Sequence, residues 1–178
     1  MKNNAKTTNM KPKQLQFGFA SYSKEHGGSV AKGKRKQARP IIIKRPMHVV
    51  LRSPRAFGAH SLLSLRASRY IEDKLHELSK QFKVRVYEYA NSGNHIHLLV
   101  KTETRKGFQA FLRTLAGLIA RFVTGARKGN PMGKFWEALA YSRVVEWGVE
   151  FFKVRDYLIL NQLETAGHVP YRIRDKGA

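Results

Sequence analysis

Gly93-Asn94-His95-Ile96-His97-Leu98-Leu99-Val100 reads as a β-strand carrying two imidazoles on one face. Successive strand side chains point to opposite faces, so His95, His97 and Leu99 share one side while Ile96, Leu98 and Val100 share the other. The apolar side belongs to a core. The histidine side then looks into a cleft, because two imidazoles one strand repeat apart suit a divalent ion better than a hydrophobic interior. His-x-His alone is a weak signal, met equally by two half-exposed strand histidines, and the flanking elements decide what it means.

Immediately upstream, Val84-Arg85-Val86-Tyr87-Glu88-Tyr89-Ala90 alternates as a strand and Asn91-Ser92-Gly93 has turn chemistry, so the two strands form a hairpin that ends in the histidines. Downstream, Phe108, Phe111, Leu112, Leu115, Leu118, Ile119, Phe122 and Val123 form the apolar stripe of a helix stopped near Gly125. Further back, Met47 to Ser53 reads as the first strand of the core, with Ile41-Ile42-Ile43 as an edge strand before it. Ala67, Ile71, Leu75, Leu78 and Phe82 place another helix over roughly 61–81. Phe135 to Val145, rich in aromatic and β-branched residues, completes the set as a fourth core strand. The order β-α-β-β-α-β predicts an α+β, ferredoxin-like antiparallel sheet with both helices on one face. His95 and His97 then occupy the open face, beside His48 and Arg52 of the first core strand.

A third helix, from about Glu150 to Ala166, is the natural cover for that face. Glu150, Lys153, Tyr157, Asn161 and Glu164 recur along one side of it as a polar stripe, while Phe152, Ile159 and Leu163 mark a side that can pack. Tyr157 and Asn161 are one turn apart and project together, so a hydroxyl and an amide can both reach the histidine cleft. Gln162 points about 140° away from Tyr157 by helical geometry. The same stripe would also suit the wet face of a C-terminal helix.

Across 178 residues the net charge is +22, with a pI near 10.6, which points to an extended polyanion as partner. Residues 1–46 hold twelve Lys/Arg against the single acid Glu25, half of the whole surplus. Residues 1–39 therefore read as a basic, flexible arm, densest at Lys32-Gly33-Lys34-Arg35-Lys36, and residues 40–178 as the folded domain. No apolar run is long enough to span a membrane and no secretory leader is evident, so no membrane partner is expected and the chain is expected in the cytoplasm, with the bacterial nucleoid. The absence of cysteine excludes disulfides and thiolate metal sites, leaving His, carboxylate or amide ligands for any metal. Candidate phosphate contacts are Lys34, Arg35 and Lys36 in the arm, His48 and Arg52 near the cleft, Arg113 and Arg121 on the second helix, and Lys153 on the third. Each of these suits a solvated face equally well. Tyr87, Tyr89 and Trp136 are candidates for stacking on single-stranded bases, or else core.

Asn94-His95-Ile96-His97-Leu98-Leu99-Val100 followed, after a helix and a strand, by Tyr157-Leu158-Ile159-Leu160-Asn161 resembles the HUH single-tyrosine transposases, and among them the REP-associated tyrosine transposases. The resemblance covers about residues 40–168. It implies a ferredoxin-like catalytic domain that nicks and rejoins single-stranded or hairpin DNA, using a divalent ion and a covalent 5′-phosphotyrosine link. By position it makes His95 and His97 metal ligands, Tyr157 the nucleophile and Asn161 the third ligand. Many relatives carry Asn-Pro where this chain has Asn161-Gln162, so the amide could come from either residue, and helical spacing favours Asn161.

The residue chemistry agrees. Charge builds on the non-bridging oxygens when a phosphodiester is attacked in line, and an ion held by imidazoles and an amide oxygen can grip them. Such ligands admit Mg²⁺ or Mn²⁺. A phenol of pKa ~10 needs help in losing its proton, with Lys153 and Glu164 the stripe candidates for that base. With one such tyrosine per chain, the protein must use it twice or pair with a second subunit, and a homodimer is the expectation. Two other readings share the fold: a nucleic-acid-binding module without catalysis, and a metal-dependent phosphoesterase in which water attacks.

Overall fold

The computed structural model describes residues 24–33, 35 and 37–171. Its strands are β1 (Glu25–His26), β2 (Met47–Arg52), β3 (Val84–Asn91), β4 (His95–Thr102) and β5 (Tyr141–Val144), and its helices α1 (Leu65–Gln81), α2 (Arg105–Thr124) and α3 (Val149–Thr165). They form one antiparallel sheet in the order β1-β5-β2-β4-β3. From β2 to β5 the elements run β-α-β-β-α-β as the sequence predicts, with β2 and β4 as central neighbours. The chain is an α+β protein whose third helix lies on the face opposite the other two.

Local chemistry sets the boundaries. Ser64 caps α1, its hydroxyl accepting from the Ala67 amide at 3.3 Å, so the helix starts at Leu65 and residues 61–64, expected as its first turn, stay outside it. Thr104 caps α2 in the same way through the Gly107 amide at 3.0 Å, and Gly125 ends it in the left-handed conformation with φ 69°. The β3–β4 hairpin is pinned by Asn91, whose side chain donates to the Leu62 carbonyl at 2.7 Å and accepts from the Gly93 amide at 3.1 Å. Gly93 sits at φ 84°, which an L side chain rarely adopts.

The two faces of β4 pack against different partners. Ile96, Leu98 and Val100 join Met47, Val49 and Leu51 of β2 and the stripes of α1 and α2 in the main core, where Phe108, Phe111, Leu115 and Ile119 are fully buried. A smaller cluster on the other face, made of Ala90, Leu99, Val145, Phe151, Val154 and Leu158, holds α3 to the sheet. Phe111→Ala should lower the unfolding free energy by about 3–5 kcal/mol, measured by urea titration, because a large aromatic leaves a cavity in a closed core.

Four expectations need correction. Ile41–Ile43 is not a strand: Ile41 is buried, Ile42 and Ile43 are exposed, and the Arg45 amide turns back to the Ile42 carbonyl at 3.0 Å. The strand expected over 135–145 is shortened to Tyr141–Val144, because Phe135 folds into the main core and Trp136 donates to the Ala116 carbonyl of α2 at 2.9 Å. On α3 the packing side carries Phe151, Val154, Leu158 and Asn161, whereas Phe152 and Leu163 are exposed. The segment expected as an arm over 1–39 includes β1, paired to β5 through Glu25–Arg143 and His26–Ser142. Arg39 ties the same stretch to β5 and its approach, donating to the Ser142 hydroxyl and to the Ala140 carbonyl. Residues 1–23 of that segment lie outside the described residues.

A bulge in β3 matters for the site. The register passes from Val86–Val100 to Glu88–Leu99, leaving Tyr87 as the extra residue. Val84 and Val86 therefore face α1 and α2, while Tyr87, Glu88 and Ala90 face α3. Simple alternation would have put Tyr87 and Ala90 on opposite faces. With the bulge, Tyr87 packs under Phe151, and the small Ala90 lies directly opposite His97.

Candidate active site

The α3 face of the sheet brings together residues from two strands and a helix. In the β2–β4 register Arg52 is opposite His95, Val50 opposite His97 and His48 opposite Leu99, so all six side chains share that face. The His95 and His97 rings lie 4.7 Å apart, centre to centre. His48 stacks on His97 at 5.3 Å with 14° between the planes, and its Nε2 is 3.1 Å from His97 Nδ1. His95 Nδ1 lies 2.6 Å from the Asn94 side-chain oxygen. The ring of Tyr157, reaching down from α3, meets His97 edge-on at 5.5 Å and His48 at 6.4 Å.

Asn161 is buried at 6% exposure, one turn beyond Tyr157, and its amide nitrogen donates to the Tyr157 carbonyl at 2.8 Å. Gln162 takes the other edge of the helix: its side-chain nitrogen donates to Glu88 at 2.9 Å and to the Tyr89 carbonyl. The amide beside Tyr157 is thus that of Asn161, and Gln162 fastens α3 to β3.

Burial acts on the imidazoles. It pushes the His48 pKa down to about 4, with Arg143 adding to the effect, and it lowers that of His95, where Arg52 contributes. Both rings are therefore neutral at pH 7, the form that offers a lone pair to a cation. With their Nδ1 atoms turned to Asn94 and His48, the nitrogens that would meet an ion are the Nε2 atoms of His95 and His97. Two imidazoles and an amide oxygen are a donor set that Mg²⁺ or Mn²⁺ accepts. Among the described residues no group of three or more His, Cys, Asp and Glu could hold a metal.

The candidate phosphate contacts scatter. Lys34 and Lys36 lie outside the described residues. Arg35 and Arg113 line a cavity of about 830 Å³ between α2 and the β1 segment, and Arg121 lines one of about 820 Å³ beyond it, both against α2 on the far side of the sheet from Tyr157. Arg52 is exposed at the rim of the site, 3.6 Å from Glu137, and Lys153 is exposed on α3. His48 is the correction here: 9% exposed and stacked on His97, it is a buried part of the site and not a surface contact. The three stacking candidates are partly buried. Tyr87 packs on Phe151 and Trp147, while Tyr89 and Trp136 lie against the main core. Sequence reasoning placed His48 beside the paired histidines but missed its stacking on His97, and it missed the contact of Asn94 with His95, whose only local signal was an amide residue immediately before the first histidine.

Among the described residues, no helix is long and apolar enough to cross a membrane. No curated protein matches the chain. Among solved structures, the crystal structure of a candidate transposase from Deinococcus radiodurans R1 aligns at 17% identity, covering 72% of this chain and 98% of that one with a TM-score of 0.43. The model of the family described as IS200-like transposases matches residues 47–158, from the first residue of β2 to one residue past Tyr157. That match takes in well over half of the chain, including the paired histidines and the tyrosine that α3 brings to them, and the protein belongs to the IS200-like transposase family.

Proposed function

We propose that this transposase nicks and rejoins single-stranded DNA, with Tyr157 as the nucleophile and a divalent ion held by His95, His97 and Asn161. The observation that carries the reading is the Tyr157 ring 5.5 Å from that of His97, a contact between the far end of the chain and the third core strand. Tyr157 Oη would attack the phosphorus in line. A bond forms between Oη and phosphorus, the bond to the 3′ oxygen breaks, the phenolic proton leaves, and the departing 3′ oxygen takes up a proton. Because the product is still a phosphodiester, a 3′-hydroxyl can reverse the step, which gives strand transfer and not hydrolysis. The ion, when bound, supplies Lewis-acid stabilisation of the non-bridging oxygens.

The chain's own residues prepare this attack. Phe151, Val154, Leu158 and Leu99 form the dry floor beside the phenol and fix the height of α3 over the strands. The hydrogen bond that the Asn161 side-chain nitrogen donates to the Tyr157 carbonyl keeps the amide and the phenol in register. The positive surplus draws in the strand, whose sugar-phosphate backbone can bend into the cleft only when it is unpaired.

The test is incubation of 3′-labelled single-stranded DNA with the full chain and Mn²⁺, followed by denaturing electrophoresis. Label should migrate with the protein, and chelation should prevent it. No adduct and no cutting in the presence of metal would leave a DNA-binding protein only. The same assay separates the two amides. Asn161→Ala should reduce adduct formation by about 10- to 100-fold, the size of effect expected when a metal site loses a supporting partner or ligand. Gln162→Ala should leave it near wild type, because its contacts are to β3. The reverse ranking would move the third ligand to Gln162.

A further inference from the structure

We propose that His48 is a positioning residue, which fixes the nitrogen that His97 presents to the site by accepting a hydrogen bond from His97 Nδ1. The inference rests on the reading of His97 as a metal ligand. A neutral imidazole carries one N–H and one lone pair, and the partner of one nitrogen decides the character of the other. His95 shows the pattern. Its Nδ1 lies 2.6 Å from the Asn94 side-chain oxygen, an acceptor, so Nδ1 carries the proton and Nε2 the lone pair.

His97 is the next residue on the same face, and its Nδ1 is 3.1 Å from His48 Nε2. One of these two nitrogens must carry the shared proton. If it were His48 Nε2, the Nε2 of His97 would itself be an N–H and would turn a donor toward the place a cation would occupy. With the proton on His97 Nδ1, both strand histidines present Nε2 lone pairs. Ligating histidines commonly donate their second N–H to an outer acceptor that sets tautomer and ring orientation. Here that acceptor is an imidazole. The stacked arrangement, 5.3 Å between ring centres and 14° between planes, also holds the His97 ring against rotation, and at 9% exposure His48 leaves little room for water to take over its role.

The experiment uses the full chain with ¹⁵N-labelled histidine. In metal-free protein at pH 8, long-range ¹H–¹⁵N correlation should find the His97 proton on Nδ1. In His48→Phe, which keeps an aromatic ring and removes the acceptor, that proton should redistribute toward Nε2. Calorimetric titration should show Mn²⁺ affinity lower by about 10- to 100-fold in His48→Phe. His48→Gln, whose side-chain oxygen can accept from Nδ1, should bind close to wild type. Thermal melts check that each variant is folded, and the wild-type tautomer decides the matter if the Phe variant is not. A wild-type His97 protonated at Nε2, or a folded His48→Phe with unchanged Mn²⁺ affinity, overturns the proposal. So does a metal-induced shift on His97 Nδ1 and His48 Nε2 together, since His48 would then be a ligand itself. Absence of any Mn²⁺ binding by wild type would instead count against the His95, His97 and Asn161 site, while the metal-free tautomer would still judge His48.

Discussion

Tyr157→Phe should yield a protein that folds, binds single-stranded DNA and forms no covalent adduct. The substitution keeps the ring that packs against the cluster under α3 and removes only the hydroxyl, so stability should change little. Adduct formation should fall on the order of 10⁴-fold or more, as when a covalent nucleophile is deleted from a site that acts as a unit. The 3′-labelled fragment, which travels with the protein in wild type, should be missing from the protein band on a denaturing gel. Metal-dependent cutting that survived in this variant would assign attack to water and make the protein a phosphoesterase. An adduct that survived would mean another residue attacks.

Loss of the paired imidazoles should also be severe for chemistry and much milder for binding. His95→Ala with His97→Ala removes the two proposed strand ligands and leaves the cationic surface intact. Adduct formation should fall by about 10³-fold or more, since electrostatic stabilisation of the transferring phosphoryl group is commonly the largest catalytic contribution. Affinity for an unpaired oligonucleotide should stay within a few-fold of wild type and keep its steep dependence on salt, because phosphate contact and counter-ion release govern it. His97 is only 5% exposed, so its removal also opens a small cavity, and circular dichroism must first show the variant folded. The proposed chemistry is falsified if this double variant still forms the adduct at the wild-type rate.

Much of the architecture was legible because it rests on periodicity. The stripe from Phe108 to Val123, the alternation of β2 and β4 and the turn at Asn91-Ser92-Gly93 each specify one element without help from the rest of the chain, and the element order then limits the topology. The errors fall where a longer-range partner overrides local pattern. Phe135 and Trp136 look like strand residues but are taken up by the core and by the Ala116 carbonyl. Glu25 and His26 sit in a stretch whose composition suggests a solvated arm, yet they complete an edge of the sheet on β5. Tyr87 breaks the alternation of β3 through a bulge, which no two-residue pattern announces.

The candidate site divides in the same way. The sequence by itself determined that His95 and His97 share a strand face, that Tyr157 and Asn161 share a helix face, and that Gln162 points elsewhere, since each follows from the repeat of one regular element. Only the tertiary structure decided that these two faces meet, that α3 packs through Phe151, Val154 and Leu158 and not through Phe152 and Leu163, and that His48 lies stacked on His97 instead of open to a phosphate. The physical reason is that backbone repeat fixes directions within an element, whereas distance between elements is set by side-chain volumes, the register of neighbouring strands and the burial that closes the gap between helix and sheet.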